Sequence, residues 1–191
     1  MKLVFATNNN NKIKEVQSLI PSHITLLSLE DIKCFEDIPE TQPTIEGNAL
    51  QKANYVKDNY GFDCFADDTG LEVEALNGAP GVFSARFAGP QRNAKDNMVK
   101  LLEDLGKSTN RTANFKTVIA LSLQNKMETF TGICNGEITK TQHGNSGFGY
   151  DPIFRPNGLQ ETFAEMSLKQ KNTIGHRGKA VSLLVEYLNT L

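Results

Sequence analysis

The chain has 191 residues, with 20 lysines and arginines against 22 aspartates and glutamates, for a formal net charge of −2. Its 39% share of hydrophobic residues is typical of a globular protein and excludes a disordered chain, and no apolar run is long enough for a membrane span. The near-neutral charge excludes a generally basic nucleic-acid binder, and the short apolar run at the N-terminus predicts no export and a cytoplasmic location.

The N-terminal half predicts alternating strands and helices. The predicted strands cover residues 2–6, 24–27 and 63–66. The predicted helices cover residues 12–20, which Pro21 ends, and residues 45–59, which Thr44 caps. Residues 30–43 are acidic and irregular, and Asn77 with Gly78 predicts a tight turn after an alternating stretch over 71–75.

The C-terminal half predicts a helix, a long hairpin and a final helix. The helices cover residues 91–105 and 177–191, and the hairpin strands cover 112–123 and 128–139, with Asn125 and Lys126 at the antiparallel turn. Helices and strands that alternate before a long hairpin predict a mixed α/β class. The odd, widely spaced cysteines, Cys34, Cys64 and Cys134, predict buried reduced thiols rather than disulfides or a zinc site.

An asparagine-rich turn joins the first predicted strand to the first predicted helix. Backbone N–H groups at a helix N-terminus bind anions, and a lysine one turn into the helix adds positive charge. The turn therefore predicts a phosphate site, and the alternative is a polar turn that only caps the helix. Its members are Thr7, Asn8, Asn9, Asn10, Asn11 and Lys12.

Two adjacent carboxylates, Asp67 and Asp68, follow the predicted strand 63–66 and precede Thr69 and Gly70. We expect them to form an exposed pair on a tight turn. Carboxylate oxygens are the ligands that Mg²⁺ prefers, so the pair predicts a metal site, and the alternative is a turn with surface acids. The irregular loop supplies further candidate acids, including Glu40.

Glycines flank an aromatic residue between Ser146 and Pro152, where the backbone can approach a ligand closely around a stacking ring. The alternative is a turn with a core aromatic. Four cations and one histidine lie between Lys169 and Ala180, which we place at the start of the final helix. An anionic ligand would offset their repulsion from the helix dipole, and the alternative is a solvated basic face.

These segments together resemble the inosine triphosphate pyrophosphatase family, the noncanonical purine nucleoside triphosphate pyrophosphatases. The resemblance covers nearly the whole chain, in residues 5–12, 40–53, 66–71, 78–86, 147–154 and 164–180. It implies an elongated mixed β-sheet with flanking helices, forming one domain over 1–191 with two lobes around a central substrate cleft. It also implies a Mg²⁺-dependent cytosolic homodimer that hydrolyses dITP, ITP and XTP to the monophosphate and pyrophosphate, which cleanses the nucleotide pool.

The resemblance also assigns roles to individual residues. It implies that Glu40 and Asp68 hold the metal and that Asp68 is the general base. The remaining residues bind substrate: Thr7 to Lys12 and Lys52 at the triphosphate, Thr69, and Phe148, Gly149, Tyr150, Asp151, Lys171, His176 and Arg177 around the base and sugar.

Three positions depart from the family pattern. Gly175 replaces the usual serine before the His-Arg pair, which removes a hydroxyl and leaves a backbone N–H, while Gly47 replaces a glutamate and Asn8 a glycine.

The sequence leaves two alternatives to hydrolysis of noncanonical purine triphosphates: a pyrophosphatase for other modified nucleotides, and a nucleotide-binding module without catalysis. Overall acidity and the paired aspartates argue against nucleic-acid binding.

Overall fold

The structure, a computed structural model, describes residues 1–124 and 126–191 and has the mixed α/β class that the sequence predicts. The strands are β1 (Lys2–Phe5), β2 (Thr25–Leu27), β3 (Cys64–Val73), β4 (Pro80–Gly81), β5 (Thr112–Leu123), β6 (Lys126–Ile138) and β7 (Phe154–Pro156). The helices are α1 (Asn10–Gln17), α2 (Ile45–Tyr60), α3 (Ala94–Leu105), α4 (Leu168–Ile174) and α5 (His176–Leu188). No helix in the described part of the chain is both long and apolar enough to cross a membrane.

The strands pair in the order β2-β1-β3-β5-β6-β7, and β4 pairs with β3. β1 runs parallel to both of its neighbours, with Val4 opposite Leu27 of β2 and Cys64 of β3. The β3–β4 and β6–β7 pairs are antiparallel, so the sheet is mixed. β5 has the predicted bounds and lies beside β6, as predicted for the hairpin, but β6 already begins at Lys126, and the predicted turn residue Asn125 lies outside the described residues.

The chain divides into two compact units, each assembled from separate stretches. Unit 1 comprises Met1–Asp68, Thr117–Gly132 and Arg177–Leu191, and unit 2 comprises Thr69–Lys116 and Ile133–His176. β3, β5, β6 and α5 each contribute residues to both units, so neither unit is a continuous piece of sequence. The organisation of residues 1–191 as a single domain remains a prediction.

Each unit has its own apolar core. In unit 1 the rings of Phe5 and Phe65 stack with centroids 4.6 Å apart, and Val16 of α1 and Leu184 of α5 pack in the same cluster. In unit 2 the core includes Met98 and Leu101 of α3 with a group of aromatic rings contributed by Phe115, Phe154 and Phe163. Burial of each such side chain contributes about 1.5–3 kcal/mol, so each cluster stabilises its own unit.

Local sequence signals predict several of these elements well. Thr44 caps α2 as predicted, since its Oγ1 accepts a hydrogen bond from the backbone N of Gly47 at 3.0 Å. The three cysteines are buried free thiols. The final helix, predicted over 177–191, is confirmed as α5. The start assigned to it is wrong for Lys169 and Lys171, because they lie in a separate short helix, α4, which ends at Gly175, where the backbone is extended.

Candidate active site

The paired aspartates lie inside a strand and not on a turn. Asp67 and Asp68 occupy the middle of the ten-residue strand β3 and are 0% and 8% exposed, so the prediction of an exposed pair on a tight turn is wrong. The sequence shows two adjacent charges before a glycine, which is typical of turns. Burial of such charges requires counter-charges, and these arrive from residues distant in sequence.

Asp67 is surrounded by three cations within unit 1. Its Oδ1 lies 2.9 Å from Nζ of Lys12, its Oδ2 lies 3.1 Å from Nε of Arg177, and its backbone oxygen accepts a hydrogen bond from Nζ of Lys52 at 2.7 Å. Burial opposes ionisation of this carboxyl, but attraction by the three cations outweighs it and holds the pKa of Asp67 well below its usual range. Asp67 is therefore ionised at neutral pH, where it pairs with Lys12 and Arg177.

Asp68 has a different environment, and its pKa shifts in the opposite direction. Its Oδ2 accepts a hydrogen bond from Nδ2 of Asn48 at 3.3 Å, and its Oδ1 lies 3.8 Å from Nζ of Lys52. Burial raises the pKa of Asp68 above its ordinary value, and repulsion from Glu40 and Asp67 adds to that effect, while Lys52 and Lys12 oppose it. A carboxylate with a raised pKa is a stronger base than an exposed one, as a general base requires.

Glu40 and Asp68 converge on one cationic group. Nζ of Lys52 lies 2.5 Å from Oε1 of Glu40 and 3.8 Å from Oδ1 of Asp68. The two carboxylates therefore already share a positive charge, and their hard oxygens suit Mg²⁺. No group of three or more His, Cys, Asp or Glu side chains that could hold a metal occurs within residues 1–124 and 126–191. The oxygens of Glu40 and Asp68 are of the type that binds Mg²⁺ when one or two protein carboxylates and substrate phosphates make up its ligands.

At Asn9 the asparagine-rich turn caps the helix α1, which is the alternative to the predicted phosphate site. The side chain of Asn9 caps α1 by accepting hydrogen bonds from the backbone N of Asn11 at 3.0 Å and of Lys12 at 3.3 Å. Thr7 supports the turn, since its Oγ1 accepts from the backbone N of Asn9 at 3.2 Å, while Asn8, Asn10 and Asn11 are exposed. Two of the N–H groups expected to bind an anion are therefore already satisfied, and Lys12 is the stronger candidate for phosphate.

Glu15 belongs to this cluster and was not among the predicted site residues. It is 4% exposed in α1, and its Oε2 forms an ion pair with Nη1 of Arg177, which also pairs with Asp67. Its position three residues after Lys12 places both on one helix face, and that spacing is the sequence signal that points to it. Arg177 is 2% exposed and bound to two carboxylates of unit 1, and its predicted contact with the base stays a prediction.

Within unit 2, the glycine-rich loop and α4 form a second cluster. Oδ2 of Asp151 lies 2.6 Å from Nζ of Lys171 and accepts from the backbone N of Phe148 at 2.8 Å. The same ammonium lies 4.8 Å from the centre of the Phe148 ring, a cation–π distance. Gly147 permits this arrangement, because its φ is +75° and a Cβ there would lie 2.1 Å from Oδ2 of Asp151.

The remaining predicted residues of unit 2 are buried or partly buried. Tyr150 is buried and its hydroxyl donates to the backbone oxygen of Ser84 at 2.8 Å, while Gly149 adopts a φ of +63°. His176 is 3% exposed and stacks on Phe115 with ring centroids 4.5 Å apart. Thr69 follows Asp68 in β3 and is partly buried.

Comparison with known proteins identifies the family. The chain matches the sequence profile of the Ham1 family over residues 3–187. It belongs to the Ham1 family. The dITP/XTP pyrophosphatase of Flavobacterium johnsoniae is 65% identical over 188 residues, which cover 98% of each chain. The dITP/XTP pyrophosphatase of Porphyromonas gingivalis is 50% identical, over 98% of this chain and 97% of its own. The Ham1 protein of Staphylococcus aureus superposes with a TM-score of 0.91 at 38% identity, over 100% and 99% of the two chains. The family resemblance that the motifs indicate is confirmed.

The structure accounts for two positions at which this Ham1 protein departs from the expected pattern. A Cβ at Gly47 would lie 2.8 Å from Cβ of Gln42, so the glycine lets the loop that carries Glu40 pack directly on α2. A Cβ at Gly175 would lie 2.6 Å from the backbone oxygen of Lys171. The N–H of Gly175 donates to that same oxygen at 2.7 Å, so the backbone N–H that we expected to remain for substrate already ends α4.

Proposed function

We propose that this Ham1 protein is a Mg²⁺-dependent pyrophosphatase that hydrolyses dITP, ITP and XTP to the monophosphate and pyrophosphate. The observation that carries the proposal is the convergence of the Glu40 and Asp68 carboxylates on Lys52, beside the Lys12 ammonium. Carboxylates for a metal next to cations for phosphate are what hydrolysis of a nucleoside triphosphate requires. The names of its relatives, dITP/XTP pyrophosphatase, support the same reaction.

The residues of unit 1 would handle the phosphates. Glu40 and Asp68 would hold Mg²⁺, which acts as a Lewis acid on phosphate oxygens when it is bound. The Asp68 carboxylate, which Asn48 holds through its Oδ2, takes a proton from the attacking water. The water oxygen bonds to the α-phosphorus while the bond to the bridging oxygen of the β-phosphate breaks. Lys12 and Lys52 stabilise the negative charge of the departing pyrophosphate.

The residues of unit 2 would recognise the base. The Phe148 ring offers a stacking surface, and the Lys171 ammonium donates to the 6-keto oxygen of inosine or xanthine. Adenine carries a 6-amino donor there, which leaves Lys171 without an acceptor and disfavours ATP. Asp151 holds the ammonium in place through its 2.6 Å contact, which limits the freedom of Lys171 to adapt to adenine.

The decisive experiment measures release of pyrophosphate from ITP, dITP, XTP, ATP, GTP and dUTP, with Mg²⁺ and with excess EDTA. We expect release from the first three and not from ATP, and none in EDTA. Asp68→Asn keeps the shape and removes the base, so kcat should fall by at least about 100-fold. Asp104→Asn is the matched control, since Asp104 pairs with Lys100 at the exposed surface of α3. Turnover by Asp68→Asn near that of Asp104→Asn, or equal rates on ATP and ITP, would refute the proposal.

Three further features belong to the proposal. We infer a homodimer, which rests on the family resemblance, and a cytoplasmic location, which the buried free thiols of Cys34, Cys64 and Cys134 support because reducing compartments preserve thiols. We also infer that nucleic acid is not a substrate. The cations of the two clusters are buried or, for Lys12, partly buried, and they pair with carboxylates, so they offer no wide basic surface to a polymer.

A further inference from the structure

Asn48 is a buried side chain that connects the loop of Glu40 to the carboxylate of Asp68. It lies in α2 one helical turn before Lys52 and is 1% exposed. Its Oδ1 accepts a hydrogen bond from the backbone N of Gln42 at 2.9 Å, and its Nδ2 donates to Oδ2 of Asp68 at 3.3 Å. Gln42 follows Glu40 by two residues, so one amide joins the loop that carries Glu40 to the strand that carries Asp68.

The same loop has a second attachment to α2 that does not reach Asp68. The backbone N of Thr41 donates to Oε1 of Gln51 at 2.9 Å, and Nε2 of Gln51 donates back to Oγ1 of Thr41 at 2.9 Å. This pair is exposed, whereas the Asn48–Asp68 hydrogen bond is buried. The Thr41–Gln51 pair therefore anchors the loop, and Asn48 additionally orients a carboxylate.

We propose that Asn48 is a positioning residue that holds Glu40 and Asp68 in the arrangement in which both bind one cation; this inference rests on the proposed function. The amide occupies Oδ2 of Asp68 and leaves Oδ1 directed toward the cation position, where Lys52 lies at 3.8 Å. A neutral amide donor orients the carboxylate without competing as a cation. Residues that orient metal ligands typically change metal affinity or activity about 10–100-fold when they are removed.

Asn48→Ala tests this role with a readout that needs no substrate. Binding of Mn²⁺ to the substrate-free protein is measured by electron paramagnetic resonance, and steady-state kinetics are measured with ITP. We expect Mn²⁺ affinity and kcat to fall about tenfold each, with KM for ITP changed less than about twofold, because Asn48 acts on the carboxylates and not on the phosphate-binding cations. Asn59→Ala is the matched control: Asn59 lies in the same helix, and its Nδ2 donates to the backbone oxygen of Tyr55 at the exposed surface.

The inference is overturned if folded Asn48→Ala matches Asn59→Ala in Mn²⁺ affinity and kcat, or if only its thermal stability falls. Asn48→Asp covers the case in which alanine prevents folding, because it keeps the volume and the acceptor for Gln42. It is read for kcat alone, since its added carboxylate itself attracts cations. A fall of about tenfold supports the inference and an unchanged kcat refutes it. If the wild-type protein releases no pyrophosphate, the proposed function fails, and the Mn²⁺ titration still decides the role of Asn48.

Discussion

Asp67→Asn should destabilise the protein far more than the loss of one hydrogen bond. The carboxylate is 0% exposed and is bound by Lys12 and Arg177, so the substitution leaves buried positive charge without its counter-charge. Loss of one partner of a buried ion pair costs about 3–5 kcal/mol. We expect the lower end, about 3 kcal/mol, because Arg177 keeps Glu15 and an asparagine oxygen still accepts a hydrogen bond.

Thermal unfolding and urea denaturation of the substrate-free protein measure this cost. For a chain of this size, 1 kcal/mol shifts Tm by about 2–4 °C, so Asp67→Asn should lower Tm by about 6–12 °C. Asp104→Asn is the control, since the Lys100–Asp104 pair is exposed, with side chains 42% and 37% exposed. Loss of such a pair lowers the free energy of unfolding by only about 0.3–0.5 kcal/mol. The two variants make the same chemical change in opposite environments.

The pH dependence gives an independent check, and its sign follows from the direction of the pKa shift. The pKa of Asp67 is held well below its usual range in the folded protein by the surrounding cations, against the opposing effect of burial. Its contribution is therefore fully present above the unfolded value of about 4 and is lost as the pH falls through the folded pKa. The stability gap between wild type and Asp67→Asn should be constant at neutral pH and narrow below about pH 4. A cost within 1 kcal/mol of that of Asp104→Asn, or a gap that narrows at alkaline pH instead, would refute the reasoning.

Two glycine substitutions in unit 2 give further predictions. Gly147→Ala places a Cβ 2.1 Å from Oδ2 of Asp151, so kcat/KM for ITP should fall at least about tenfold as Asp151 and Lys171 separate. Gly158→Ala is its control, with a φ of +80° and no atom within 4 Å of the added Cβ, and equal losses in the two variants would show that backbone strain alone is responsible. Gly175→Ser brings a Cβ within 2.6 Å of the Lys171 oxygen, so restoring the usual serine should lower both Tm and kcat/KM; higher activity without loss of Tm would contradict this account.

Elements with strong local signals were predictable from the sequence. β5 matches its predicted bounds because its twelve residues are rich in apolar and β-branched side chains and end at a polar turn. α2 was predictable because Thr44 is an N-cap and Gly61 a C-terminal stop with a φ of +74°. Strand patterns and helix caps depend on residues that are close in sequence, so they can be predicted without the tertiary structure.

Most members of the charged clusters were predictable from the sequence, but Glu15 and the geometry of the clusters were not. The family resemblance selects Lys12, Lys52, Asp68 and Lys171, and the structure places the first three in one cluster of unit 1 and the fourth beside Asp151 in unit 2. The sequence did not indicate that Asp67 lies inside a strand, because the composition of residues 67–70 is typical of a turn and hides the strand pattern.

The sequence by itself determined the α/β class, the family and most residues of the candidate site, because helix caps, strand patterns and ordered motifs are local properties of the chain. Only the tertiary structure decided which charged side chains are buried and which side chains pair with them. Arg177 meets Glu15 and Asp67 across 162 and 110 residues of sequence, and Asn48 reaches Asp68 across 20. A buried charge is stable only when such partners surround it, and no stretch of sequence contains that information on its own.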